Sequence, residues 1–212
     1  MLEPWSGTDG GMPVGAIVPT GFEAYARVFP LVYQVPSGKR LRWAEVAAMN
    51  GRIAHPLMEW HLISTPAPGS GRRSPQTGAP FGPPSDEELS ELAAVLSEFT
   101  RTPELCWYCV WTGYGGIEES ESGAQIHHPV DRDYFVSSGP IEAVTSFSHD
   151  GPNIWWPDDR AWCMASEIDL ATTYVGGSAR CIERLLGAER LEVLPVSLDD
   201  RVDINADVIN EA

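Results

Sequence analysis

The clearest rhythm of hydrophobic and polar positions in the chain is helical. In SDEELSELAAVLSEFT, Ser85 and Glu88 have capping-box spacing and acids fill the first turn. Leu89, Leu92, Leu96 and Phe99 fall on one stripe, which predicts a helix over 85–99. RWAEVAAMNGR places Trp43, Val46, Ala47 and Asn50 at i, i+3, i+4 and i+7 before an Asn-Gly stop, so a second helix is expected near 41–50, with HPLMEWHLI adding a turn or two after Pro56. ARCIERLLGAERL puts Ile182, Leu185 and Leu186 together and ends at Gly187, giving a third near 178–187.

Period-2 stretches lie between these helices. In GFEAYARVF, Phe22, Ala24, Ala26 and Val28 alternate with Glu23, Tyr25 and Arg27, which predicts a strand with an amphipathic second face, ended by Pro30. ELCWYCVWTGYGG reads as an aromatic strand broken by glycines, DRDYFVSSGP as a short strand, IEAVTSF as a brief helix and LEVLPV as a last strand. NIWW, the turn Pro157-Asp158-Asp159-Arg160 and the run from Ala161 to about Leu170 form an antiparallel hairpin. ATTYVGGS carries the chain on through a Gly-Gly break. Strands and helices do not alternate as regular βαβ units. The expected class is therefore α+β: a single domain with a mainly antiparallel sheet and three short helices.

Composition sets the boundaries. Residues 1–20, rich in glycine and proline, are expected as a flexible arm, 21–200 as the domain, and 201–212 as a fraying acidic tail. The 64–84 segment carries six prolines and four glycines and reads as a floppy surface loop. Thirty acids against 14 bases leave a formal charge of −16, which argues against nucleic acid and leaves room for a basic protein partner. No run is long and apolar enough for a bilayer, and the N-terminus lacks the pattern of a secretory signal. Four cysteines without small-scaffold spacing point to reduced thiols and a cytoplasmic location.

Candidate chemistry gathers around the hairpin. A strand through Trp162–Leu170 would set Glu167 and Asp169 on one face about 7 Å apart, spacing that suits an acid/base pair or, with help, a cation. The same pattern also describes the wet face of a half-buried sheet. GAQIHHPVDRDY brings His127, His128, Asp131 and Asp133 together in what reads as an exposed loop, and His128 is the candidate base to join the two carboxylates. Trp155 and Trp156 could wall a ligand site, with Arg160 over an indole face, or simply build core. CWYC lacks the helix N-terminus of a redox motif, and its Cys106 and Cys109 point to opposite strand faces. Cys163 and Cys181, in different elements, make no second zinc pair, so the thiols read as buried and free. Gly176-Gly177-Ser178 before a helix reads as a cap, without the lysine of a phosphate loop. No cofactor is assigned.

PNIWWPDDRAWCMASEIDLATTYVGGSARCIERLLGAERLEVLPV, with GFEAYARVF and CWYCVWTGYGG, resembles a family of uncharacterised soluble proteins from high-GC actinobacteria, over about residues 20–200 without the Pro/Gly-rich loop. The resemblance implies a bacterial cytoplasmic origin and brings no activity or site residue with it. The expected function is a soluble binding or interaction protein that neutralises a basic partner. The alternative is a small-molecule hydrolase with a carboxylate/histidine site at the 153–170 hairpin.

Overall fold

The alternating segments pair as an eight-stranded antiparallel sheet. In the computed structural model, which describes residues 12–80, 84–114, 124–128, 132–147 and 151–211, the strands are β1 (Ala24–Phe29), a small separate ribbon of β2 (Val32–Tyr33) and β3 (Arg40–Leu41), then β4 (Cys106–Trp111), β5 (Ala124–His128), β6 (Arg132–Gly139), β7 (Ile154–Pro157), β8 (Trp162–Ser166), β9 (Thr173–Gly177) and β10 (Glu192–Val196). The helices are α1 (Trp43–Asn50), a single turn α2 (Trp60–Ile63), α3 (Asp86–Ser97) and α4 (Ala179–Leu186), with 3-10 helices at Val14–Ala16 and Ile141–Ser146. The large sheet runs β10-β1-β9-β8-β7-β4-β6-β5. The α+β class is as expected, with α1, α3 and α4 within two residues of the predicted ends.

Each helix forms for the reason its sequence gives. Ser85 accepts the Glu88 N–H while the Glu88 carboxylate returns to the Ser85 N–H at 3.0 Å, a reciprocal capping box at the start of α3. The buried residues of α1 are Trp43, Val46, Ala47 and Asn50, and Gly51 ends it in a left-handed conformation at φ 71°. In α4, Ser178 caps the Cys181 N–H; Cys181, Ile182 and Leu185 are buried, whereas Leu186, expected on the apolar stripe, is exposed.

Both sheet faces are covered over much of their extent. On one face α3, α4 and the Ile141–Ser146 turn pack against Ala26, Val28, Tyr108, Trp155, Trp162, Met164 and Val175. On the other, Val14, Ile17 and Val18 lie over Tyr25, Cys163, Ala165 and Tyr174. A third cluster joins Phe29 at the end of β1 to α1, Met58 and Ile63. Burial of both faces changes the reading of β1: Arg27, expected on a merely amphipathic face, is 2% exposed. Its guanidinium donates to Glu59 Oε1 (2.8 Å), Thr172 Oγ1 (2.8 Å) and the Pro56 carbonyl (3.1 Å), and lies 4.8 Å from the Phe29 ring centre. A charge taken out of water survives only when its donors are met in this way.

Four expectations need correction. The arm is, from residue 12 onward, core: Val14 N–H and Gly15 N–H donate to the carbonyls of Asp200 and Leu198, and Val202 N–H to that of Met12, so both chain ends satisfy one another's backbone. The tail is docked, with Asp207 and Asn210 buried. Gly176-Gly177 does not break the chain but lies in β9, where a Cβ on Gly176 would fall 2.4 Å from Phe22 Cδ2. His127 and His128 sit in edge strand β5 rather than in a loop. The 64–80 portion of the proline-rich segment has little regular structure, yet Ala67 N–H, Gly78 N–H and the Gln76 carbonyl bond to Asn50, Tyr33 and Val35.

Candidate functional site

Strand β8 ends at Ser166, so Glu167 and Asp169 are not neighbours on one strand face. They belong to the tight β8–β9 connection, where Glu167 Oε2 accepts the Asp169 N–H at 2.6 Å and the Glu167 carbonyl accepts the Leu170 N–H. Glu167 is buried and Asp169 exposed. Arg132, the first residue of β6, reaches both: Nε lies 3.2 Å from Glu167 Oε1 and Nη2 2.7 Å from Asp169 Oδ2. Its guanidinium carbon is 5.9 Å from the Trp111 ring centre, within cation–π range. The carboxylate pair thus shares an internal cation and is not an open acid/base couple.

His128 closes β5 opposite Arg132 and is 2% exposed. Burial pushes its imidazole down to about 4, with His127 adding a smaller repulsion, so it is neutral near pH 7. The structure does bring His128 and Glu167 together: with Tyr134, Ser166 and Ile17 they line a cavity of about 10 Å³. That volume is at the threshold for one water molecule, far below the roughly 300 Å³ of a small-molecule site. Ser166 Oγ is held by Thr173 Oγ1 at 2.6 Å. Asp169 lies outside the lining, and so do the two tryptophans.

Trp155 and Trp156 point to opposite faces and cannot wall one site. Trp155 is fully buried, edge-on to Trp162 at 4.8 Å, with its Nε1 3.1 Å from Met164 Sδ. Trp156 is half-buried and lies directly opposite Trp107 of β4 on the other face. Arg160 occupies the left-handed region at φ 55° in the exposed turn, and among the described residues its guanidinium stacks on no indole. The turn is fixed instead by Asp159, whose carboxylate accepts from Thr100 Oγ1 (2.8 Å), the Arg101 N–H (2.8 Å) and the Ala161 N–H (3.2 Å). Burial would raise that carboxyl; these bonds together hold it below its ordinary value.

No grouping of three or more His, Cys, Asp or Glu suited to a metal occurs among the described residues. His127 and Asp133 form an exposed pair at 2.9 Å, while Asp131 and His149 lie outside the described residues. All four cysteines are buried and free, Cys106 and Cys109 on opposite faces as expected, and burial pushes their thiols up, Cys106 to about 11 and Cys109 to about 12. A wider hollow of about 320 Å³ between α3 and Ile141–Ser146 is lined by small side chains such as Ser90, Ala94 and Thr145, with Glu142 its charged member.

Reading the residues in order missed Arg132, Trp107 and Asp158. Trp107 Nε1 donates to Asp158 Oδ1 at 3.0 Å, joining β4 to the hairpin turn. The signal was present: Trp107 alternates with buried Cys106 and Tyr108, so it had to face the other side of the sheet. Comparison with family models, curated proteins and solved structures gave no match for the chain. Among the described residues no helix is long and apolar enough to cross a membrane.

Proposed function

We propose that the protein is a non-enzymatic binding protein that neutralises a basic protein partner. The observation that carries this reading is how the chain deploys its few cations. Arg27, Arg40, Arg132, Arg184, Arg190 and Arg201 each pair with a carboxylate of the chain itself. The surplus of 30 acids over 14 bases is left to act on what lies outside. A surface of one sign steers a partner of the other and fixes its approach. Reduced, buried cysteines support a cytoplasmic setting.

The hydrolytic alternative has one observation in its favour, the convergence of His128, Ser166 and Glu167 on one cavity, but that space admits no substrate and the carboxylate is already bound to Arg132. The test is association of the purified protein with an arginine-rich peptide, followed by fluorescence anisotropy as salt is raised from about 20 to about 200 mM. Charge-steered binding weakens by roughly tenfold or more over that range. Absence of association at the lowest salt overturns the reading.

A further inference from the structure

On the sheet face opposite α3, the strand register lays out two aromatic–carboxylate groups about 13 Å apart along β4, four residues at the rise of a strand. One is complete. Trp111 carries the Arg132 guanidinium at 5.9 Å, and Glu167 and Asp169 accept its hydrogen bonds. The other consists of Trp107, the directly opposed Trp156, and Asp158, oriented by the Trp107 Nε1–H at 3.0 Å. It has the indoles and the acid but, among the described residues, no cation. The neighbouring arginines do not supply one: Arg101 pairs with Asp159, and Arg160 makes no ion pair among the described residues. Resting on the basic-partner reading above, we infer that Trp107, Trp156 and Asp158 form the seat for an arginine side chain of that partner.

The chemistry fits each component. Trp107 and Trp156 are half-buried, so they are positioned by the sheet yet keep a surface toward solvent, and Trp107 packs into none of the three apolar clusters. Asp158 is exposed, and the Trp107 N–H occupies only one of its oxygens, leaving the other for a guanidinium N–H. Asp159 is consumed by the turn and cannot compete for the ligand, while it holds Asp158 in place. The exposed Ser138, opposite Trp107 on β6, adds a hydroxyl beside the indole. A planar guanidinium stacks and bonds at once, which an ammonium does less well, so the seat favours arginine over lysine.

The experiment uses the full chain with fluorescein-labelled nona-arginine and nona-lysine peptides at about 20 mM salt. Trp107→Leu and Asp158→Asn are measured beside Glu183→Gln, which removes one exposed acid from α4, on the opposite face. Far-UV circular dichroism and Tm verify that each variant is folded. Asp158→Asn and Trp107→Leu are each expected to weaken nona-arginine binding about five- to tenfold, with Glu183→Gln changing it less than about twofold and the wild type preferring arginine to lysine. Equal weakening by Asp158→Asn and Glu183→Gln, with no effect of Trp107→Leu, overturns the seat while leaving a diffuse electrostatic partner. No binding of either peptide overturns the basic-partner reading itself.

Discussion

Acidification should destabilise this protein through His128 before most carboxylates titrate. The imidazole is 2% exposed, and burial lowers its pKa from an ordinary 6.5 to about 4. Glu167, across the small cavity, could favour the imidazolium, but its charge is committed to Arg132, while His127 next in the chain opposes it. The sign follows from proton linkage. Above about pH 6.5 the folded and unfolded states both hold a neutral ring and stability does not change on this account. Between 6.5 and about 4 the unfolded chain takes up a proton that the folded chain refuses, so stability falls as pH falls. At about 1.4 kcal/mol per pH unit the gap amounts to about 3 kcal/mol, a large part of the 5–15 kcal/mol that holds a typical domain. Urea unfolding of the wild type and of His128→Gln, at half-unit steps from pH 7.5 to 4, isolates the contribution, because the other titrating groups cancel in the difference. Wild-type stability relative to the variant should be flat above pH 7 and drop by about 3 kcal/mol on reaching pH 4. A flat difference throughout, or a His128 proton titration by NMR centred near 6.5, would refute the burial argument.

Gly176→Ala should lose about 1–3 kcal/mol, because the added Cβ would sit 2.4 Å from the Phe22 ring and 2.9 Å from that of Tyr25; Gly78→Ala, with nothing within 4 Å, is the control, and equal melting temperatures for the two variants would contradict the packing. Asp207→Ala removes the acceptor of the Glu59 N–H, the Asn210 N–H and the Asn210 Nδ2 amide, so a loss of about 2–4 kcal/mol with faster amide exchange over 203–211 is expected; unchanged exchange there would mean the tail is held by other contacts. Cys106, Cys109, Cys163 and Cys181 should resist alkylation at pH 8 in the native protein and react together in denaturant, since burial raises every thiol; a single fast-reacting cysteine in the folded state would show a local opening.

Elements with a strong local period were legible from the sequence. The capping box and leucine stripe of α3 and the Trp43–Asn50 face of α1 needed only spacing, because a helix writes its buried face into positions three and four apart. The hairpin 153–170 was legible as a hairpin, with Trp162 and Met164 on one face and Cys163 and Ala165 on the other. Its end was not, since nothing local says that the strand stops at Ser166 and that Glu167 turns to cap Asp169. Strand β5 was hidden because an edge strand with Ile126 as its one large apolar residue has the composition of a loop. Gly176-Gly177 misled for the opposite reason: glycine in a strand is normally a weakness, but here the absent side chain makes room for aromatic rings that arrive from Phe22 and Tyr25, more than 150 residues earlier by roughly the length of the domain. Long-range packing of that kind has no local signature.

The buried acids explain why the candidate carboxylates had to be sorted by what they accept rather than by where they fall in a pattern. Glu192 takes the N–H groups of Trp43 and Ala44 at the start of α1, Glu88 that of Leu31, and Asp207 that of Glu59. Each replaces a missing backbone acceptor where a helix or a turn meets the sheet, and there a carboxylate is worth more than a neutral group because the donors are free N–H dipoles. Burial nonetheless pushes the Glu192 carboxyl above its ordinary value, against the pull of the Ala44 and Trp43 N–H groups. Such an acid is spent on architecture: removing it leaves orphaned donors, and no partner can reach it. Glu167, which caps its own turn and binds Arg132, belongs with them. Asp158 differs in being exposed, in meeting a single indole N–H, and in standing beside two tryptophans that the sheet holds half out of the core. Of these five acids, the one that the fold uses least is therefore also the one best placed to meet a partner.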